Sequence, residues 1–234
     1  MAADRKGYPY QERISLVIPV LNEEEGLQEL IEKTRPYVGE ILVIDGHSTD
    51  QSVSVAAACG ARIYYDHRKG KGDALRCAIP LISREITVFM DADWSHDPDD
   101  IPRLVQPILD GTADHVTGSR LLGGSSELHG GFDEFMRLMG SSFITACIGR
   151  RLRVRLSDSQ NGFRAIRTDV LRRLDLRENI TTIEQEMIIK TLKGGFRLDE
   201  VPAHEYKRRY KVSHIRLQKV WFRYGYSLIK YLFF

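Results

Sequence analysis

Short β-rich apolar runs alternate with longer helical patterns through the first half of this 234-residue chain. This alternation predicts an α/β domain with a mainly parallel sheet and helices on both faces, because parallel strands need crossover connections. We predict strands at 14–18, 41–44, 62–65, 86–90 and 115–117. The intervening helices are predicted at 25–37, 50–58, 71–82 and 98–109. Beyond Gly124 the pattern is less regular, and we predict helices at 132–147 and 183–193 and a strand at 197–201.

Polar clusters follow the predicted strands at their carboxyl ends. They cover residues 19–23, 45–50, 91–97 and 118–120. In open α/β sheets ligands collect at this edge, so we expect the functional site there.

The run from Val88 to Met90 predicts a buried strand that ends in two carboxylates, Asp91 and Asp93, with Ala92 between them. Side chains at positions i and i+2 leave a strand on the same face, so both acids can bind one divalent cation. Because Mg²⁺ or Mn²⁺ can keep substrate phosphate oxygens as further ligands, the pattern favours a metal-bridged nucleotide diphosphate. The alternative is an acidic pair that caps a helix or stays solvated.

The composition is that of an ordinary globular protein, with 42% hydrophobic and 28% charged residues, which excludes disordered and fibrous classes. The three cysteines lack C-x-x-C spacing, so we expect neither a disulfide framework nor a structural zinc site. We find no signal peptide and no uninterrupted apolar run of about 18 residues, and therefore expect a cytoplasmic chain without a spanning helix.

The C-terminal segment is basic and aromatic. From Tyr206 to Phe234 it has no carboxylate, eight lysines and arginines, and nine of the chain's 21 aromatic residues. We predict an amphipathic helix at 214–234 that lies in the headgroup region of a membrane, which would make the protein peripheral on a cytoplasmic face. The alternative is a helix that packs on the domain or pairs two subunits.

Seven segments occur in an order that is more specific than any one of them. They are SLVIPVLNEEEGL (15–27), ILVIDGHSTD (41–50), RKGKGDAL (68–75), VFMDADWSHDP (88–98), VTGSR (116–120), SDSQNGFRAI (157–166) and EVPAHEYKRRYKVSHI (200–215). Together they resemble glycosyltransferase family 2, and within it dolichol-phosphate mannose synthases and related polyprenyl-phosphate glycosyltransferases. The resemblance implies a GT-A-type, Rossmann-like catalytic domain at 1–213, followed by the helix at 214–234.

On the donor side, the resemblance implies that Pro19, Asn22 and Glu23 form a nucleotide-binding turn and that Asp45 contacts the base. A carboxylate suits this task, because bases and ribose offer N–H and O–H donors. The alternatives are a helix cap with first-turn acids for Asn22 and Glu23, and a turn acid for Asp45.

The resemblance also implies cations for the diphosphate, at Lys71, Arg120 and Arg208, with Arg137 as a weaker candidate. Surface solvation is the alternative for Lys71, Arg120 and Arg137. Ser213 and Arg208 match the family's R-x-x-G-x-S-K segment.

This chain departs from the family at two kinds of position. In the R-x-x-G-x-S-K segment it has Lys211 for the glycine and His214 for the lysine. Asp91 and Asp93 are implied metal ligands, but the glutamine that some relatives use two residues further on is Ser95 here. Water or His96 is then left as the further ligand.

On the acceptor side, Asp158 and Gln160 belong to a matching segment, and Glu186 matches a recurrent family glutamate. A carboxylate like Asp158 serves as the base in relatives with hydroxyl acceptors. A lipid phosphate is already anionic near neutral pH, so Asp158 would then orient the site. Stabilising a turn is the alternative for Asp158, and a structural role is equally open for Glu186.

We therefore predict an inverting, metal-dependent transfer of a hexose from UDP-glucose or GDP-mannose to dolichyl or polyprenyl phosphate, with Asp93, Asp158, Arg120 and Arg208 as catalytic residues. A soluble sugar or other hydroxyl acceptor is the alternative. An inactive nucleotide-sugar sensor is a third reading, which the intact D-x-D pattern disfavours. We expect no nucleic-acid partner, and the sequence leaves oligomerisation open.

Overall fold

The structure is a computed structural model that describes residues 7–126, 132–210 and 217–234, and their side chains except those of 132–135, 137 and 217–221. Within these ranges seven strands form one sheet in the order β3-β2-β1-β4-β6-β5-β7. The strands are β1 Ile14–Val20, β2 Glu40–Asp45, β3 Arg62–Tyr65, β4 Ile86–Phe89, β5 His115–Ser119, β6 Arg164–Arg167 and β7 Leu198–Pro202. Only β6 runs antiparallel to its neighbours in this sheet.

Nine helices are described around this sheet. They are α1 Glu24–Thr34, α2 Ser52–Ala58, α3 Lys71–Ala78, α4 Ile101–Leu109, α5 Arg120–Gly123, α6 Phe132–Leu152, α7 Thr168–Arg173, α8 Ile183–Lys193 and α9 Leu217–Phe233. The helix predicted at 71–82 ends at Ala78 and continues as a 3₁₀ turn, Ile79–Leu81, because Pro80 has no N–H for an α-helical bond. A similar 3₁₀ turn, Pro98–Asp100, leads into α4.

The central strands are buried on both faces, as continuous apolar runs in a parallel sheet require. Their register aligns the ends of β1 and β2 through the pair Val20 and Asp45, and β4 lies beside β1 through Phe89 and Val17. The polar segments that follow these strands therefore meet at one edge, as predicted.

No strand is predicted at β6, Arg164–Arg167. Because β6 runs antiparallel between β4 and β5, its first residue, Arg164, pairs with Phe89 near the end of β4 and with Thr117 in β5. The segment before β6 therefore begins at the carboxyl ends of its neighbours. This insertion brings residues 158–163 to the same edge as Asp91 and Arg120.

Helix α9 packs on the domain. Leu228, Tyr231 and Leu232 are buried in a cluster with residues of α6 and α8 that include Ile148 and Ile188. The opposite face is exposed and apolar, with exposed fractions of 90% for Phe222, 69% for Tyr226, 56% for Ile229 and 59% for Phe233. Among the described helices, none has the length and hydropathy needed to cross a bilayer.

Candidate active site

The first part of the site joins the loops after β1 and β2. Asp45 is buried and accepts the backbone N–H of Ser48 at 2.9 Å, while Ser48 Oγ accepts the backbone N–H of Asn22 at 2.8 Å. Asn22 Oδ1 in turn accepts the backbone N–H of Thr49 at 2.6 Å. These bonds hold Asn22 and Asp45 in one network, so both residues stabilise the loops whatever else they bind.

Pro19 and Glu23 flank this network. Pro19 lies in β1, opposite Ile44 of β2, and is partly exposed at the edge. The backbone N–H of Glu23 donates to Ser52 Oγ at 2.8 Å. The structure therefore places Pro19 and Asp45 at the ends of neighbouring strands and Asn22 and Glu23 in the segment that follows the first of them.

The two carboxylates after β4 are each paired with a cation. Lys71 Nζ lies 2.6 Å from Asp91 Oδ1, and Arg208 Nε lies 3.1 Å from Asp93 Oδ2. Ala92 between them is buried. The structure thus unites four predicted site residues from three distant segments.

Arg208 is positioned by the chain that follows β7. The backbone N–H of Tyr206 donates to the carbonyl of Ser95 at 2.9 Å, and the Arg209 guanidinium lies 5.1 Å from the centre of the Trp94 ring. Residues 206–209 therefore run against the loop that follows Asp93. Trp94 packs in this contact.

Lys71 also contacts Glu184 of α8, a residue that sequence reasoning missed. The distance from Lys71 Nζ to Glu184 Oε1 is 2.9 Å, and only 5% of the Glu184 side chain is exposed. Burial lowers the pKa of Lys71, but the charges of Asp91 and Glu184 outweigh burial and raise it above its usual value. Burial raises the pKa of Asp91, yet Lys71 contributes to lowering it overall. Lys71 is therefore a fixed cation between two carboxylates.

The residues around Asp91 suit a divalent cation in donor type. Carboxylate oxygens are the ligands that Mg²⁺ and Mn²⁺ prefer, and the nearby His96 is buried with an Nδ1 that lacks a hydrogen-bond partner among the described residues. Gly162 leaves space here, because a Cβ at this position would lie 2.8 Å from Asp91 Oδ2. Among the described residues, Asp91 and Asp93 are not in a group of three whose possible metal-ligand atoms lie close together. Such a group is formed by His67, Asp73 and Cys77. Asp91 and Asp93 are turned toward their cations.

The acceptor-side segment centres on a buried ion pair. Arg120 Nε lies 2.6 Å from Asp158 Oδ2, and its Nη2 donates to Asp158 Oδ1 at 3.0 Å. Burial raises the pKa of Asp158, but the Arg120 charge and the hydrogen bonds outweigh burial and lower it below its usual value. Asp158 is therefore a carboxylate with little tendency to take a proton.

The other acceptor-side candidates differ in their surroundings. Gln160 Nε2 donates to Ser159 Oγ at 2.9 Å, while its Oε1 lacks a hydrogen-bond partner among the described residues. Glu186 accepts the backbone N–H groups of Arg177 and Glu178, both at 2.8 Å, and pairs with Lys190. Both Glu186 oxygens are thus bonded within the protein, which favours the structural role. The Arg137 side chain, Ser213, Lys211 and His214 lie outside the described residues.

Helix α9 forms part of the wall beside Glu184. The Tyr224 hydroxyl lies 2.6 Å from Thr181 Oγ1, and Gln185 Nε2 donates to the Tyr224 carbonyl at 3.1 Å. Burial, followed by the charge of Glu184, raises the pKa of Tyr224 to about 12. The C-terminal helix is thus tied to the segment that carries Glu184.

Comparison with known proteins agrees with this arrangement. Residues 15–175 match the family model described as glycosyl transferase family 2. The undecaprenyl-phosphate mannosyltransferase of Micrococcus luteus is 32% identical over 207 residues, 81% of this chain and 82% of that protein. The UDP-N-acetylglucosamine–dolichyl-phosphate N-acetylglucosaminyltransferase of Methanococcus voltae is 26% identical over 92% of this chain and 94% of its own length. Some relatives are longer, and the chain spans 48% of their length.

Among solved structures, glucosyl-3-phosphoglycerate synthase from Mycobacterium tuberculosis, in complex with Mn²⁺, UDP and glucosyl-3-phosphoglycerate, has a similar fold. The TM-score is 0.72 at 23% identity, and the match covers 94% of this chain and 79% of the synthase. The predicted GT-A-type fold is thereby confirmed. The family resemblance is confirmed by the match over residues 15–175, and this chain belongs to glycosyl transferase family 2.

Proposed function

We propose that the protein transfers a hexose from a nucleotide-diphosphate sugar, UDP-glucose or GDP-mannose, to dolichyl or polyprenyl phosphate with inversion. The bidentate pair of Asp158 and Arg120 is the observation that carries this proposal. An alcohol acceptor needs a base to remove its proton, and a carboxylate with a lowered pKa is a weak base. A phosphate monoester can attack C1 as an anion, so this site suits it better.

Pro19, Asn22, Glu23 and Asp45 are proposed to bind the nucleotide. Asp91 and Asp93 are proposed to hold Mg²⁺ or Mn²⁺, which would neutralise charge on the leaving diphosphate. Lys71 and Arg208 would then exchange their carboxylate partners for diphosphate oxygens, which adds positive charge where negative charge develops. Ala92, Arg137 and Ser213 remain proposed substrate contacts on the strength of the family resemblance.

Arg120 and Gln160 are proposed to orient the acceptor phosphate, with Asp158 fixing the Arg120 guanidinium. The names of two relatives, which refer to undecaprenyl phosphate and dolichyl phosphate, support this acceptor class. A second candidate is a soluble acceptor, because the similar synthase is known with glucosyl-3-phosphoglycerate. In that case Asp158 would have to act as a base in spite of its ion pair.

The outer face of α9 is proposed to bind the cytoplasmic surface of a membrane, where a lipid acceptor is found. Phe222, Tyr226, Ile229 and Phe233 expose apolar surface, and Phe143 of α6 is also 67% exposed. Exposed apolar patches of this kind mark binding surfaces, and the basic residues of the segment suit anionic lipids.

The proposal is tested by transfer of labelled hexose from a panel of UDP- and GDP-sugars in the presence of Mg²⁺ or Mn²⁺. Each donor is offered polyprenyl phosphate in detergent and, in parallel, 3-phosphoglycerate and simple sugars. Label that enters the organic phase, and does not with Asp93→Ala, supports the lipid acceptor. Donor consumption with label only in aqueous products overturns it.

A further inference from the structure

We infer that Glu184 and its surroundings form the subsite for the donor hexose, with Glu184 Oε2 accepting a hydrogen bond from a sugar hydroxyl. Its other oxygen, Oε1, is held by Lys71 at 2.9 Å. Oε2 is buried and has no hydrogen-bond partner among the described residues. A buried carboxylate oxygen without a donor is costly, so such an atom marks a place where a ligand can supply the missing bond.

The position of Glu184 suits the sugar of a bound nucleotide-diphosphate hexose. One ammonium, that of Lys71, contacts both Asp91 and Glu184. The inference rests on the proposed function in that Asp91 is taken to face the metal and the diphosphate. Since the hexose is bonded directly to the second phosphate, a carboxylate held by the same ammonium as Asp91 is close enough to the proposed diphosphate site to contact the sugar.

The chemistry of the subsite favours a hydroxyl over a phosphate. Glu184 is a carboxylate and would repel an anionic group, whereas the hydroxyls of a hexose are hydrogen-bond donors. Arg164, which is buried, anchors this part of α8 by donating from Nη1 to the Glu184 carbonyl at 3.0 Å. The Glu184 backbone is thus fixed before the sugar binds, which reduces the entropy lost on binding.

Two roles of Glu184 make different predictions. If Glu184 only holds Lys71, its loss weakens every ligand that carries the diphosphate, with or without a sugar. If Glu184 also binds the hexose, its loss weakens the nucleotide sugar by a larger factor than the free nucleotide diphosphate. The ratio of the two dissociation constants therefore separates them.

The experiment is calorimetric titration of wild type, Glu184→Gln and Glu186→Gln with UDP, UDP-glucose, GDP and GDP-mannose in the presence of Mn²⁺. We expect Glu184→Gln to bind the free nucleotide within about twofold of wild type and the nucleotide sugar about tenfold more weakly. Glu186→Gln is the matched control, because its carboxylate caps backbone N–H groups, and it should leave the ratio unchanged.

A donor that lacks one hydroxyl completes the test. Deoxy-glucose donors should bind wild type more weakly, and one of them should bind wild type and Glu184→Gln equally. If Glu184→Gln weakens free nucleotide and nucleotide sugar by the same factor, the subsite is overturned. These titrations contain no acceptor, so their result stands even if the lipid acceptor proves wrong. If the wild type binds no nucleotide, the proposed donor is refuted.

Discussion

Arg208 lies 3.1 Å from Asp93, measured from Nε to Oδ2, so the second carboxylate of the D-x-D pair has a cation of its own. Lys71 forms the equivalent pair with Asp91 at 2.6 Å. Each pair joins a proposed metal ligand to a proposed diphosphate contact. Arrival of a metal with its diphosphate would let both pairs exchange partners without leaving a buried charge unpaired.

Replacement of Arg208 should separate metal affinity from turnover. In Arg208→Gln, Asp93 loses its competing cation, so we expect Mn²⁺ to bind the nucleotide-free protein about three- to tenfold more tightly. Turnover should fall by about 100-fold, because a charge that stabilises the leaving diphosphate is lost. Calorimetry and the transfer assay measure the two effects.

Arg13→Gln is the matched control, because Arg13 lies just before β1 and pairs on the surface with Glu85 at 2.8 Å. Surface pairs contribute little, so this variant should match wild type in both assays. Unchanged Mn²⁺ affinity in Arg208→Gln would contradict the exchange of partners.

Alanine substitutions at two glycines should separate effects on the free energy of unfolding from effects on activity. A Cβ at Gly162 would lie 2.7 Å from Lys71 Nζ, the end of a flexible side chain, whereas a Cβ at Gly72 would lie 2.6 Å from the backbone oxygen of Glu178. We expect Gly162→Ala to cost less unfolding free energy than Gly72→Ala but to lower activity, since Lys71 must move. Gly72→Ala should cost about 2 kcal/mol or more. Denaturant unfolding gives both values, and an equal loss in the two variants would count against this account.

The sequence pattern predicts the strands of the parallel core, but it does not predict β6, the strand that completes the site. Strands such as β1 are buried on both faces and appear as continuous apolar runs. Strand β6 has only Ala165 and Ile166 between two arginines, so its pattern does not indicate a strand. Arg164 is nevertheless fully buried, because backbone carbonyls of Asn161 and Glu184 accept its hydrogen bonds. Only the tertiary structure supplies these acceptors.

The roles of the two glutamates in α8 could not be assigned from sequence either. The family pattern drew attention to Glu186, which caps a loop, while Glu184 contacts Lys71. All seven residues from Ile183 to Ile189 are buried, so periodicity does not distinguish the side chain that faces the site. The faces of α9 posed the same problem, since a helical wheel does not reveal which face α6 and α8 cover.

Removal of the Asp158 charge should affect stability more than chemistry. Because the folded-state pKa of Asp158 is lowered, its stabilisation is present above the ordinary carboxyl pKa of about 4 and is lost as the pH falls below that value. Asp158→Asn should lose about 2–4 kcal/mol of unfolding free energy at pH 7, since Arg120 loses its main partner. The loss relative to wild type should shrink toward pH 3.

Activity of the folded Asp158→Asn protein separates orientation from base catalysis. With polyprenyl phosphate we expect a decrease of about tenfold or less, because the acceptor needs no proton removed. A base contributes about 10²- to 10⁴-fold, so a loss in that range at unchanged donor affinity would argue for a hydroxyl acceptor.

The outer face of α9 gives a direct test of membrane binding. Ile229 is 56% exposed, whereas its neighbour Leu228 is buried. The two positions lie in the same helix but on different faces. Ile229→Glu puts a negative charge on the apolar face and should reduce retention on anionic vesicles by about tenfold, while the free energy of unfolding stays within about 0.5 kcal/mol. Leu228→Ala should do the reverse, costing about 2–4 kcal/mol of stability with vesicle retention of the folded protein unchanged. Sedimentation with phosphatidylglycerol vesicles at low and high salt measures retention, and equal retention of wild type and Ile229→Glu would exclude this face as the membrane contact.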